Sequence, residues 1–556
     1  MSVSSTAAPA KMSVAQQIGS LPFNYWVANA MEMLERLAFF SLLAIRPLFA
    51  KAPASENGLE LSYAEVGTVF GIWAWLQCII PMISGGYTDR YGYRKSLIVA
   101  FILNGCGYLL LARALPVAEW LATLDVPNAS FWVLLGAACL IGPGTAIFKP
   151  AVQGTLARVV NAETSSMAWG LFYWVVNVGG FLAPILAAWL RGEAGLNWSN
   201  VFYGCAIVTA LNFIPALFIY REPERVVPAE GQKGPLGVFV TSLAMLLRDV
   251  RFVLFLLIAA CFWFMFMQLW DLLPNFLNEW VDTSAVGRVL KSVFGENLTW
   301  VLPNGQVKPE MIINIDATSI LLFVLVISWM IRRMHKIAAM ILGMLISLVG
   351  FVGAGATNVG AICCLMIFVF AIGEMICSPT FSAYIGLIAP PARKALYMGY
   401  SNIPFAIGWG MGNFVSGPMY DQIGSKEMLA RGHLVQVYQL PAELATKDNR
   451  AFPSDQVVPS LAYVTKTGNV ENLREIIASF AGQEKPDAEA LKQAYAPIRE
   501  QVSPADLDAV RQMLWTTYNP QRVWYYLGAF GLAGTVGMII FYLLARAPSG
   551  EAEPAA

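Results

Sequence analysis

Twelve stretches of this chain stay apolar over the roughly 20 residues that a helix needs to cross a bilayer. They lie near 23–50, 64–87, 95–114, 131–156, 166–190, 200–220, 251–277, 312–331, 336–356, 360–388, 395–420 and 523–546. The pattern predicts an all-α integral membrane protein. The first stretch does not read as a cleavable signal peptide: it is too long, it carries charges in its middle, and no small-residue cleavage site follows.

The polar positions divide these spans. A Pro- and Gly-bearing stretch, 221–250, reads as a cytoplasmic linker between a six-helix half, 1–220, and a second half made of 251–420 and 523–556. Residues 421–522 form a long extracytoplasmic insert before the last span, in which 471–501 and 504–516 have the spacing of short amphipathic helices. A shorter outer segment, 278–311, carries an Asn304-Gly305 turn signal and predicts a small hairpin. A repeat supports the two halves. Gly144, Pro150, Gly170 and Gly179 recur as Gly373, Pro379, Gly399 and Gly408, each 229 residues later.

Basic residues in short loops set the orientation. One set of loops holds Arg90, Arg94, Lys95, Arg158, Arg221, Arg225, Lys233, Arg248, Arg251, Arg332, Arg333, Lys336, Arg393 and Lys394, whereas the other holds fewer, Lys51, Arg113, Arg191, Arg288, Lys291 and Lys308. Both termini are expected in the cytoplasm, and in a bacterium the membrane is the inner one.

Composition narrows the function. The chain is 57% hydrophobic and 13% charged, against about 25% charged in soluble domains. Its 36 basic and 36 acidic residues balance, so no net field invites a nucleic acid. The eight cysteines sit in apolar runs with neither metal-ligand spacing nor a disulfide framework. No HExxH is present and no nucleophile accompanies a buried His. An enzyme is therefore not expected, nor a metal or cofactor other than the proton.

The charges inside the spans carry the chemistry, because at mid-membrane depth they are costly and usually functional. Glu32, Glu35 and Arg36 share one face of the first helix, and Arg46 returns to that face further outward. Lys149 lies in the fourth helix, Asp271 in the seventh and Glu374 in the tenth. Four carboxylates thus face three cations, and the carboxylate left without a full partner suits a proton carrier. His335, in a basic loop, and His433, in the insert, are placed wrongly for that task.

The loop Gly86-Tyr87-Thr88-Asp89-Arg90-Tyr91-Gly92-Tyr93-Arg94-Lys95 resembles the major facilitator signature, with Tyr93 as the departure. In that superfamily the Asp and the basic residues latch the cytoplasmic face. Four further segments resemble the proton-dependent oligopeptide transporters of the same superfamily: Glu32-Met33-Leu34-Glu35-Arg36-Leu37-Ala38-Phe39-Phe40, Gly144 to Pro150 around Lys149, Phe172 to Phe181 around Asn177, and Gly373-Glu374-Met375-Ile376-Cys377-Ser378-Pro379. The resemblance implies the major facilitator fold, twelve helices in two six-helix halves related about the membrane normal. It also implies proton-coupled symport of di- or tripeptides or peptide-like solutes by alternating access. Glu32, Glu35, Arg36 and Glu374 would couple protons. Lys149, Asn177, Glu374, Phe39, Phe40 and Gln268 would meet the substrate, with Lys149 able to pair with Glu374 as the cavity closes.

The departures modify this. Phe39 and Phe40 stand where the family has tyrosines, and Ser401 replaces an aromatic. Leu43 and Met267 stand where the family has a basic and an acidic residue. Arg46 and Asp271 lie three and four residues beyond those positions, so both move outward by about one turn, roughly 5 Å. They are expected to form an outer gate pair. The cavity should be greasier, with Trp73, Trp75, Trp174, Trp263 and Trp270 as further candidate linings. Two alternatives stay open: a carrier of another small organic solute, or a non-transporting receptor or scaffold. The insert reads as a decoration of the fold or, functionally, as a lid or a docking site for an extracytoplasmic partner.

Overall fold

The computed structural model describes residues 13–161, 164–223, 234–389, 394–447, 451–481, 483 and 487–546. These are almost wholly helical, and β structure among them is limited to two isolated bridges, Asp282–Val359 and Val301–Val307. The predicted spans appear as α1 (Phe23–Lys51), α2 (Tyr63–Tyr91), α3 (Tyr93–Ala112), α4 (Ala129–Val159), α5 (Ser165–Leu190), α6 (Trp198–Leu211), α7 (Val250–Phe266), α8 (Pro309–Ile331), α9 (Lys336–Gly355), α10 (Gly360–Ile388), α11 (Asn402–Ile423) and α12 (Arg522–Arg546). Ten of these positions are long and apolar enough to cross a membrane. The other two are α1, which bears Glu32, Glu35, Arg36, Arg46 and Lys51, and the glycine-rich α11.

Several boundaries differ from expectation. The seventh span is broken: after α7 come short helices Gln268–Asp271 and Leu273–Trp280. Pro274 sits in the first turn of the last piece, where its ring and missing N–H prevent one continuous helix. The linker 221–250 contains a helix, Pro235–Leu246, whose Pro235 packs at Gly86; Arg225 and Lys233 lie outside the described residues, as do Arg393 and both chain ends. Segment 278–311 holds a helix, Ser284–Phe294, besides the expected turn, in which Gly305 has φ +83° and Leu302 N–H donates to Gln306 O over 2.8 Å. The stretch 471–501 divides into Val470–Phe480 and Ala488–Gln501, while Pro504–Tyr518 starts at a Ser503 capping box.

The repeated glycines mark equivalent packing in the two halves. An added Cβ on Gly144 of α4 would lie 3.1 Å from Ala100 O of α3, and one on Gly373 of α10 would lie 2.6 Å from Gly343 O of α9. Gly179 of α5 meets α1 at Arg36 (2.9 Å to its Cβ), and Gly408 of α11 meets α7 at Phe264 N (2.7 Å). Gly170 and Gly399 have open space and no such role.

The halves touch each other on one side. At the end of the bundle that carries the insert, α2 packs along α11, α5 along α8, and α1 against Leu273–Trp280. Asp421 caps α2, accepting from Tyr63 N (3.1 Å) and Ala64 N (2.8 Å). At the end that carries the linker, α4 and α5 make no extended packing against α10 and α11 among the described residues. Among the described residues, the insert face is closed and the linker face leaves a cleft in which Lys149 of α4 is exposed.

The insert is a small helical body continuous with the second half. Leu434, Leu461 and Leu514 share one buried cluster with Phe276, Trp280 and Trp524. Glu427 anchors its centre, binding Arg431 (3.0 Å) and Lys447 (3.5 Å) and accepting from Ser454 Oγ (2.8 Å). Burial alone would raise this carboxyl, but Lys447, Lys51, Arg431 and Ser454 outweigh it and hold it down to about 2.

Two outcomes follow. Gly373→Val forces a branched side chain onto α9 and should cost about 1–3 kcal/mol, whereas Gly170→Ala, in open space, should stay within about 1 kcal/mol; thermal unfolding of the purified protein in detergent checks both. Glu427 has a folded pKa below its unfolded 4.5, so its stabilisation is present above that value. It is lost as pH falls from 4.5 toward about 2. The thermal midpoint of the insert should drop over that window, and Glu427→Gln should flatten the drop.

Candidate functional site

The buried charges collect along the seam between the halves. In α1, spacings of three and four residues bring Glu32 and Glu35 to Arg36: its Nε is 3.3 Å from Glu32 and donates to Glu35 over 2.6 Å. All three are buried, and Glu32 Oε2 and Glu35 Oε1 have no hydrogen-bond partner among the described residues. One guanidinium therefore serves two carboxylates. Its carbon lies 5.2 and 5.7 Å from the ring centres of Phe39 and Phe40, so the phenylalanines give Arg36 a cation–π surface in place of hydroxyl contacts. Lys149 of α4 is exposed to the cleft and within electrostatic range of all three.

Arg46 and Asp271 do meet, in a fully buried ion pair. The broken seventh span turns Asp271 so that its other oxygen accepts from Trp409 Nε1 (2.5 Å) and Asn413 Nδ2 (2.8 Å) of α11. Arg46 lies against the rings of Phe70 (4.2 Å), Trp73 (4.8 Å) and Trp409 (5.6 Å). Asn275 Nδ2 donates to Pro47 O over 3.1 Å. The pair thus ties α1 to the seventh span inside an aromatic box, which excludes the water that would weaken it.

A second tie between the halves escaped the sequence reading. Arg191, placed in a loop, is buried and its Nη1 donates to both oxygens of Glu310 (2.7 and 2.8 Å). Lys308 Nζ donates to Ala188 O (2.7 Å) and Gly192 O (2.6 Å). The missed signal was Glu310, just ahead of an apolar run.

Glu374 lies part-buried on α10 and does not touch Lys149, which has no ion pair among the described residues. Instead Glu374 faces Asp316 of α8 within hydrogen-bonding reach. Asp316 Oδ1 and Glu374 Oε2 are buried without a partner among the described residues. Asp316 was absent from the charge count, although an Asp within 312–331 was plain to see. Leaving aside Arg191, Glu310 and Lys308 at the outer ends of the spans, five carboxylates meet three cations, with the surplus in the second half.

Other expected positions need correction. Phe39 is packed in the first half's core, so it does not line the cleft; Phe40 is half-buried. Trp73 and Trp263 are buried too, Trp73 by the gate pair and Trp263 by stacking on Phe405 at 3.7 Å. Trp75 and Trp174 are exposed. Gln268 is buried and donates to Phe264 O (3.3 Å), as a helix-end residue does. Asn177, half-buried, donates to Tyr173 O (2.8 Å).

The signature loop is spent within the first half. Gly92 turns at φ +111° between α2 and α3. Tyr93, at the departing position, donates to Asp89, and Arg158 of α4 reaches Asp89 (3.2 Å) and the Tyr93 hydroxyl (2.5 Å). Arg94 donates to Tyr220 O. Gly86 and Arg90 lie exposed beside them, and Lys95 is exposed.

A family model described as Major Facilitator Superfamily matches residues 25–292. The peptide transporter YePEPT of Yersinia enterocolitica subsp. palearctica is 27% identical over 184 residues, 32% of this chain and only 34% of that relative's length. The multidrug resistance protein MdtH of Photorhabdus laumondii is 23% identical over 420 residues, 73% of this chain and 88% of MdtH. The crystal structure of a POT family transporter in complex with 5-aminolevulinic acid aligns with a TM-score of 0.56 at 17% identity, covering 74% of this chain and 94% of that one. The chain has the major facilitator fold, and among the described residues ten helices are long and apolar enough to cross a membrane.

Arg46→Met leaves Asp271 buried and unpaired, and should destabilise the protein by about 3–5 kcal/mol. Adding Asp271→Leu should recover most of that loss. A double-mutant cycle read by thermal unfolding measures the coupling, and additive losses would show that the two side chains act independently.

Proposed function

We propose that this major facilitator chain is a proton-coupled symporter of small peptides or peptide-like solutes, caught here open to the cytoplasm. The observation that carries the reading is the asymmetry of the seam. Buried ion pairs, Arg46–Asp271 and Arg191–Glu310, close the insert face. Toward the open face, Lys149 is exposed and Glu374 part-buried, with the buried Glu32–Glu35–Arg36 cluster within electrostatic range of Lys149. Loops rich in Arg and Lys make that open face the cytoplasmic one.

In this reading Lys149 takes the substrate carboxylate and Glu374 its amino end. Asn177 lies between them in chain order and offers its amide to the peptide backbone. Glu32 and Glu35 compete for one guanidinium, so protonating either leaves the other fully paired. Asp316 and Glu374 form a second place where a proton can rest between two carboxyls. When Lys149 swings onto Glu374 as the cleft closes, that proton is expelled. Net coupling follows, because the salt bridge and the proton exclude each other.

A second reading has its own support. The match to MdtH runs over most of both chains, and Phe40, half-buried in place of a tyrosine, makes the α1 wall more apolar. A bulkier, less zwitterionic solute fits that wall better than a plain dipeptide.

Proteoliposomes with an alkaline interior test both readings. A gradient of one pH unit is worth about 1.4 kcal/mol, or roughly tenfold accumulation per coupled proton. Labelled peptide should accumulate accordingly. Glu32→Gln and Asp316→Asn should abolish accumulation yet keep exchange of peptide across the membrane. Uptake indifferent to the gradient, with both variants fully active, rules out proton coupling. Gradient-driven uptake of an apolar organic solute without peptide uptake selects the second reading.

A further inference from the structure

The insert holds the two halves by different kinds of contact. To the second half it is joined by shared apolar core, by Trp280 Nε1 donating to Gly424 O (2.8 Å), and by Lys426, whose N and Nζ donate to Glu279 Oε2 and O at 3.1 Å each. Trp515 adds ring contacts to Trp280 (5.8 Å) and Phe276 (6.1 Å). The buried cluster that forms the first half's insert-side core contains no insert residue among those described.

Apart from Asp421 at the end of α11, which caps α2, and Tyr63, which joins the edge of the shared cluster, the described contacts of the first half with the insert are polar bonds at one loop, residues 52–62. Lys447 Nζ donates to Glu60 O (3.2 Å) and Leu61 O (3.1 Å). Ser454 N donates to Glu60 Oε1 (3.3 Å), and Ser55 Oγ donates to Asp455 Oδ2 (3.0 Å). Arg499 braces Asp455 from the insert side at 2.5 Å, and Glu427 braces Lys447. Beneath this contact Lys51, the last residue of α1, lies over the Tyr63 ring at 4.2 Å, within range of Glu427, Asp421 and Glu279.

The two kinds of contact separate differently. Pulling the insert from the second half would expose its core to water. Releasing the loop only exchanges hydrogen bonds for bonds to water, at small net cost. We propose that residues 421–522 are a clamp that travels with the second half and holds the insert-face gate shut by grasping loop 52–62 through Lys447, Ser454 and Asp455. Opening that face carries α1 and its loop away from Asp271 and from the insert together. The clamp therefore adds to the Arg46–Asp271 and Arg191–Glu310 ties and shifts the balance of the two states toward the one seen here. The inference needs only that the halves part at the insert face. It does not depend on peptide being the solute or on the proton being the coupling ion.

Spin labels on Glu119→Cys in the first half and Glu296→Cys in the second, both exposed at the insert face, report the opening by double electron–electron resonance. The full chain is used in lipid nanodiscs, with Cys106→Ser and Cys139→Ser to silence the exposed native thiols. Two independent loosened variants, Ser55→Ala with Glu60→Ala on the loop and Lys447→Met on the insert, should each raise the long-distance population several-fold. Conversely, Ser55→Cys with Asp455→Cys, joined by a short reducible thiol cross-linker, should leave only the short distance, and reduction should restore the original distribution. Distances unchanged in both loosened variants, or a long-distance population that persists in the cross-linked protein, would overturn the clamp. The readout is a distance in the absence of solute, so failure of peptide uptake would leave this result standing.

Discussion

A charge inside a bilayer must find an opposite charge or water, since a bare one costs several kcal/mol. Much of this molecule is arranged around that constraint. Arg46 cannot reach water from the depth of α1, so the seventh span breaks to bring Asp271 to it, and α11 supplies Trp409 and Asn413 to satisfy the remaining oxygen. The aromatic rings around Arg46 exclude water and strengthen the pair. The closed face of the molecule is the face where such pairs span both halves.

The other face solves the same problem with space. Lys149 has no ion pair among the described residues and is exposed, while Asp316 and Glu374 turn toward each other across α8 and α10. Lys149 is tolerable at that depth because it stays exposed. In the proposed cycle one solution is traded for the other, and a cation taken out of solvent by closure needs a carboxylate waiting. The excess of acids over bases in the second half supplies it.

The repeat gives the exchange its mechanical form. Glycines at equivalent places let α4 lie on α3 and α10 on α9, and let α5 approach α1 as α11 approaches α7. Each half is thus packed tightly within itself. Between halves, α2 lies close along α11, with Gly67, Gly71, Gly410 and Gly417 at the contact, and buried ion pairs add further ties. The insert belongs wholly to one of them by its core and only touches the other.

The span positions, the two halves and the motif charges were legible in the chain, because hydropathy over about 20 residues and fixed helical spacing are local properties. The Glu32–Glu35–Arg36 cluster needed nothing but the helix, and the outward shift of Arg46 and Asp271 by one turn sufficed to bring them together. What the chain did not disclose were contacts between distant segments. Arg191 with Glu310, Asp316 with Glu374, and Lys447 with loop 52–62 each join residues more than 50 positions apart. Nor could spacing say that Phe39, Trp73 and Trp263 are packing residues, because an aromatic has the same pattern against a core as against a cavity. The sequence by itself determined which helices cross and which charges they carry into the membrane. Only the tertiary structure decided which charges are paired and which face is closed, because a partner across the seam is set by how the halves pack and not by any period along the chain.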